Sequence, residues 1–248
     1  MRKRILISND DGVNGKGISF LVKSLSILAD VFIVVPHQER SATSRAISLH
    51  KPLRVIKIKK NEWVVNGTPV DCVRIGAIEI LKGNVDLIVL GINNGPNLGE
   101  DIGYSGTVAG AIESVMLGHP SFAISLVNKG KNNFLTAAIF ARQISKKLLK
   151  KKLLLPLNVN VPDLALKQIK GVSITAQGKW GYRKKVIKGT DPRGRSYFWI
   201  ASRKIKPMLT KHSDVYAISK NKISITPLSL DFTDYKSIEI LKEWRLGV

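Results

Sequence analysis

Four short apolar runs dominate the first half of the sequence, and none of them alternates. Arg4–Ser8 (RILIS), Val31–Val35 (VFIVV), Asp86–Leu90 (DLIVL) and Ser121–Leu126 (SFAISL) carry apolar residues at consecutive positions. A strand of that kind is buried on both faces, which calls for a parallel sheet with a layer of helices on each side. The intervening segments supply those helices. Gly17–Ala29 places Ile18, Leu21, Val22, Leu25 and Leu28 at helical spacing. Pro69–Leu81 begins with a proline suited to a first helical turn and sets Val70, Val73, Ile78 and Leu81 facing inward. Thr107–Leu117 and Phe134–Leu149 read as two further helices, and Val55–Ile58 with Trp63–Val65 as a hairpin or pair of short strands. Because crossovers between parallel strands are right-handed, the predicted fold is α/β: a Rossmann-like, doubly wound, mostly parallel sheet.

Beyond about residue 165 the rhythm changes. Val172–Ala176, Tyr197–Ala201, Val215–Ile218 and Lys222–Pro227 read as strands without helices between them. Trp180, Tyr182, Tyr197, Trp199 and Tyr216 gather in this stretch, and Lys236–Arg245 can form one helix. The expected organisation is a Rossmann-like core over 1–165 and a smaller hairpin-rich region over 166–248, which ends in the C-terminal helix. With 248 residues, 44% of them hydrophobic, the chain can bury a sizeable core.

Composition narrows the function classes. Cys72 is the single cysteine, so no intramolecular disulfide is available. No apolar run reaches the ~18–20 residues of a membrane span. The basic start, MRKRILISNDDG, loses its apolar run at Ser8, too early for a secretory signal. These features predict a soluble cytoplasmic protein. The net charge of +22 suggests a polyanionic partner, but it is unevenly spread. Residues 1–127 carry 14 basic and 11 acidic side chains, whereas 128–248 carry 26 and 7. A non-catalytic nucleic-acid-binding protein is the alternative this charge raises; no helix-turn-helix, RNP-type or zinc-finger pattern accompanies it.

In an open parallel sheet ligands bind beyond the carboxyl ends of the strands. Ser8-Asn9-Asp10-Asp11-Gly12 follows the first strand. Adjacent carboxylates repel unless a cation lies between them. A receiver domain also has such a pair, but it needs an Asp after a third strand, where Lys59, Lys60 and Asn61 stand here. Pro36–Ala42 follows the second strand and offers Glu39 and Ser41 as oxygen ligands, with His37 and Arg40 beside them. Gly91–Gly99 packs three Asn and three Gly into nine residues, a tight loop rich in amide oxygens suited to Mg2+ or Mn2+. Ser105-Gly106-Thr107 opens a helix whose free N–H groups suit a phosphate. Zinc is disfavoured, since Cys72 and His37, His50, His119 and His212 show no ligand spacing. A dinucleotide fingerprint, a Walker A loop and a G-x-S-x-G elbow are all missing from the sequence.

Together SNDDG (8–12), Glu39-Arg40-Ser41, Asn66-Gly67-Thr68-Pro69, GINNGPNLGEDIGYSGTVAGA (91–111), DPRGR (191–195) and SITPLSLDFTD (224–234) resemble the SurE-type, or survival-protein-E, nucleotidases. The motifs run in order along almost the whole chain. The resemblance implies the SurE-like fold and a phosphatase of nucleoside 5′- and 3′-monophosphates, with activity on short polyphosphate in some members. It implies that Asp10, Asp11, Ser41 and Asn97 ligate one divalent cation per subunit, and that subunits form a homodimer or dimer of dimers by exchanging the hairpin-rich region and the C-terminal helix. Asn94, Pro96 and His212-Ser213-Asp214 depart from the family pattern. On this reading Asp10, Asp11 and Asn9 form the catalytic group, and Asn9, Ser105, Gly106 and Thr107 stabilise the phosphoryl oxygens. Water attacking in line, or Asp10 as nucleophile, both fit the residues.

Overall fold

The computed structural model describes residues 2–179, 182–204 and 208–244. Six parallel strands form the centre of a nine-stranded sheet: β1 (Arg4–Ser8), β2 (Asp30–Pro36), β4 (Glu62–Val65), β5 (Leu87–Asn94), β6 (Ser121–Val127) and β7 (Leu157–Pro162). Their order, β4-β2-β1-β5-β6-β7, reverses direction at β1, which pairs with β2 on one side and β5 on the other. A crevice opens at such a reversal, at the carboxyl ends of the strands. The antiparallel β3 (Val55–Lys59) borders β4, so the expected hairpin is present and also extends the parallel sheet.

The two faces of β1 explain the double winding. Ile5 and Ile7 pack with α1 (Lys16–Leu25) and α4 (Phe134–Lys151), whereas Leu6 packs with α2 (Pro69–Arg74) and α3 (Gly106–Met116). Consecutive side chains thus enter opposite layers, which is why the run is apolar throughout. α2 starts as its sequence suggests, with Thr68 accepting from Asp71 N and Pro69 in the first turn. It continues as a π-helical stretch, Ile75–Ile80. The wider turn rotates the later side chains, so Ala77 is buried and Ile78, expected inward, is 52% exposed.

Residues beyond 165 also contribute to the main sheet. β11 (Ile223–Pro227) lies antiparallel on β7, and β8 (Val172–Ile174) lies parallel on β11. β9 (Tyr182–Thr190) and β10 (Ser196–Lys204) form a separate two-stranded hairpin. Val215–Ile218, expected as a strand, belongs instead to the helix α5 (Asp214–Ser219). Four apolar residues fit either period; the Ser213 side chain, accepting from Tyr216 N, caps the helix and decides the matter. β7 was not legible as a strand, because LNVNVP alternates Asn with apolar residues although every position from Asn158 onward is buried. The tail helix α6 (Tyr235–Lys242) buries none of its residues. Trp180 and Arg245, both part of the sequence-level reading, lie outside the described residues. Among the described residues no helix is long and apolar enough to cross a membrane.

Candidate active site

The crevice beside β1 is a cleft of about 410 Å³, lined by Asp10, Asp11, Glu39, Ser41, Asn97, Ser105 and their neighbours. Each wall comes from a loop that leaves a strand end. Asp10 and Asp11 follow β1, and the backbone turns sharply after them at Gly12 (φ +76°), where an added Cβ would stand 3.0 Å from Pro36 O. Asn9 makes that turn: its Nδ2 donates to Gly12 O (2.8 Å), and Gly12 N donates back to its Oδ1 (3.1 Å). Asn9 is therefore buried beneath the cleft rather than along its wall.

Asp10 is nearly buried, and Thr107 Oγ1 donates a hydrogen bond to its Oδ1. Burial raises its pKa, and the Thr107 bond opposes the rise. Asp11 is pushed up to about 6, first by burial and then by the charges of Asp10 and Glu39; the Asn94 backbone works in the opposite direction. Asp11 Oδ2 is buried without a hydrogen-bond partner among the described residues. A desolvated carboxylate beside two others is unstable as an anion unless a positive charge joins it. Three His, Cys, Asp or Glu side chains do not converge as a metal cluster among the described residues. The ligand set that fits is thus two carboxylates with neutral oxygens.

Asn97 supplies such an oxygen. Its Nδ2 donates to Ser125 Oγ (2.8 Å), which leaves Oδ1 as the other end of the amide. Its backbone is held as tightly: Asn97 N donates to Asn160 Oδ1 (2.9 Å), while Asn158 Nδ2 and Asn160 Nδ2 donate to Asn97 O at 2.8 and 3.0 Å. Ser41 is exposed on the opposite wall and donates from Oγ to Glu39 Oε1 (2.6 Å). Ser105 caps α3, its Oγ accepting from Val108 N (3.1 Å). The N–H groups of Gly106 and Thr107 begin that helix, next to Asp10; a Cβ built on Gly106 would stand 3.3 Å from the Asp10 Cβ.

The four residues named as ligands and Ser105 therefore line one cleft, with Thr107 and Gly106 against Asp10. The sequence offered Glu39 as an oxygen donor, and it lines the cleft, but Asn158, Asn160 and Ser125 were missed altogether. A signal was present: two Asn at alternate positions of a buried strand each need partners, and a polar loop is the place to find them.

The family model for survival protein SurE matches residues 5–184. The chain belongs to the SurE family. The chain is 42% identical over 246 residues to the 5′-nucleotidase SurE of Geotalea daltonii, covering 98% of this chain and 99% of that one. It is 43% identical over 246 residues to the 5′-nucleotidase SurE of Geobacter sulfurreducens, covering 98% and 94%. The crystal structure of the SurE protein from Aquifex aeolicus superposes with a TM-score of 0.86 at 39% identity, covering 97% of this chain and 98% of that one. The motif resemblance and the α/β fold agree with these likenesses.

Proposed function

We propose that this SurE-family chain is a metal-dependent 5′-nucleotidase, hydrolysing nucleoside 5′-monophosphates to nucleoside and phosphate, with 3′-monophosphates and short polyphosphate as further substrates. The observation that carries the reading is the pair of buried Asp10 and half-buried Asp11, whose Oδ2 has no hydrogen-bond partner among the described residues, set against the start of α3. The 5′-nucleotidase names of full-length relatives support the reaction class.

Asp10, Asp11, Ser41 Oγ and Asn97 Oδ1 would hold one Mg2+ or Mn2+. When bound, the cation polarises a phosphoryl oxygen and lowers the pKa of a nearby water. The chain's own residues do the rest. Thr107 Oγ1 fixes the Asp10 carboxylate, so its orientation is set before substrate arrives. The Gly106 and Thr107 N–H groups point out of a helix start and suit the phosphoryl oxygens, with the Ser105 hydroxyl beside them. Asn9 keeps the carboxylate turn rigid through its two bonds to Gly12 and so acts on the site from beneath the cleft.

The reading extends to a homodimer or dimer of dimers. Hairpin residues Val186, Phe198, Trp199 and Ile200 are exposed, as are Leu241 and Trp244 of the tail. Apolar surface of this kind calls for a partner, and a second copy exchanging both segments would cover it. The decisive experiment is a phosphate-release screen over nucleoside 5′- and 3′-monophosphates and polyphosphate, with EDTA, Mg2+ or Mn2+. The reading expects metal-dependent release from 5′-monophosphates, and a loss of about 10²–10³-fold or more in kcat for Asp10→Asn and Asp11→Asn. Release that survives EDTA, or variants that work like the wild type, would overturn it.

A further inference from the structure

Asp214 lies outside the cleft, yet it is the most completely enclosed carboxylate among the described residues, with 0% exposure. It needs no cation there, because three backbone N–H groups converge on it. Gly99 N donates to Oδ2 at 2.9 Å, and Gly178 N and Val215 N donate to Oδ1 at 2.8 and 2.7 Å. Two of those donors are glycines for a reason. Gly99 has φ +55°, and a Cβ on Gly178 would stand 2.6 Å from Asp214 Oδ1. The backbone was thus brought as close to this carboxylate as it can come.

Three separate segments meet at this point. Gly99 ends the loop that carries Asn97. Gly178 ends the stretch that leads into the β9–β10 hairpin. Val215 begins α5. Two further contacts strengthen the junction: Gln177 Nε2 donates to Gly99 O (2.9 Å), and Leu98 is buried against Val215 and Ile218 of α5, with Val127. The loop is therefore held from both ends. Asn158, Asn160 and Ser125 grip Asn97 itself, and Asp214, Gln177 and α5 grip Leu98 and Gly99.

We propose that Asp214 is a positioning residue: it fixes the Asn97–Gly99 loop, and with it the Asn97 oxygen, to the base of the hairpin. The inference rests on the reading of Asn97 as a cation ligand. A ligand oxygen delivers its affinity only when its loop is already in place, and outer residues that orient ligands typically change metal affinity 10–100-fold. An Asp is required because all three partners are donors; an amide would turn an N–H towards one of them.

The test is Mn2+ binding to the full-length protein, followed by electron paramagnetic resonance of free Mn2+, together with hydrogen exchange at the Gly99 amide. Asp214→Asn is expected to weaken Mn2+ binding about tenfold and to speed exchange at Gly99. Its nucleotide KM at saturating Mn2+ is expected to match the wild type. Gln177→Ala, which removes only the outer contact to Gly99 O, is expected to produce a smaller shift in the same direction and serves if Asp214→Asn does not fold. A folded Asp214→Asn, or a Gln177→Ala, with wild-type Mn2+ affinity and wild-type Gly99 exchange overturns the proposal. The underlying reading fails separately: Asn97→Ala would then bind Mn2+ as well as the wild type, whatever the Asp214 variant does.

Discussion

Asp11 concentrates the chemistry of the site in one side chain. Its pKa is pushed up to about 6, against the ordinary 3.8, by desolvation first and then by the charges of Asp10 and Glu39. The folded state thus holds the proton more tightly than the unfolded chain. This contribution to stability is complete below about pH 4 and is lost as the pH rises through 6. Asp11→Asn, neutral at every pH, is therefore expected to be more stable than the wild type by about 1–2 kcal/mol at pH 7.5 in EDTA, after discounting for partial exposure. The gap is expected to close towards pH 4. Urea unfolding at the two pH values checks it; equal stability at both would mean that the carboxylate is well solvated. Mn2+ is expected to stabilise the wild type and not the variant. The loops that carry the ligand candidates were legible from their place after strand ends, and the candidates themselves from the family resemblance. The state of Asp11 was not, since it depends first on how far the folded cleft desolvates it, and then on the charges of Asp10 and Glu39.

At the scale of elements, the strands with consecutive apolar residues and the long helices were legible, because burial on both faces leaves an unmistakable pattern. The elements that were misread are those that hold the site. β7 hid behind its two asparagines, and α5 was too short for its period to speak. Both were shaped by the Asn97 loop: Asn158 and Asn160 point at its backbone, and Val215 and Ile218 pack under Leu98. Replacing Asn160 by Val would make β7 a better apolar strand by pattern, yet it would leave the Asn97 N–H without its acceptor in a buried place. The expected result is a loss of about 1–3 kcal/mol in urea unfolding. An unchanged or higher stability would mean that the network under Asn97 is dispensable to the fold. The π-helical stretch after α2 likewise escaped the pattern, since a spacing rule assumes one turn width throughout.

On the scale of the whole molecule, the charge of +22 first suggested a polyanion, but the candidate chemistry sits on a carboxylate pair in the nearly balanced half of the chain. The basic excess belongs to the half that carries the hairpin and the tail helix. That half also leaves apolar residues open: Trp199, Ile200 and Trp244 are exposed among the described residues. Light scattering of the full protein is expected to give two or four chain masses, and deletion of residues 235–248 to lower that number. A monomeric full-length protein would remove the exchange model. The sequence by itself determined the doubly wound core, because a run of consecutive apolar residues can be satisfied in few ways, and it marked the loops after strand ends as the place of the cleft, while the choice of Asn97 among the three asparagines of its loop came from the family resemblance. Only the tertiary structure decided how the cleft's oxygen donors are held. The Asn97 loop is fixed by Asn160 and Asp214, 63 and 115 residues away from the groups they bind, and no local pattern carries a hydrogen bond over such a separation.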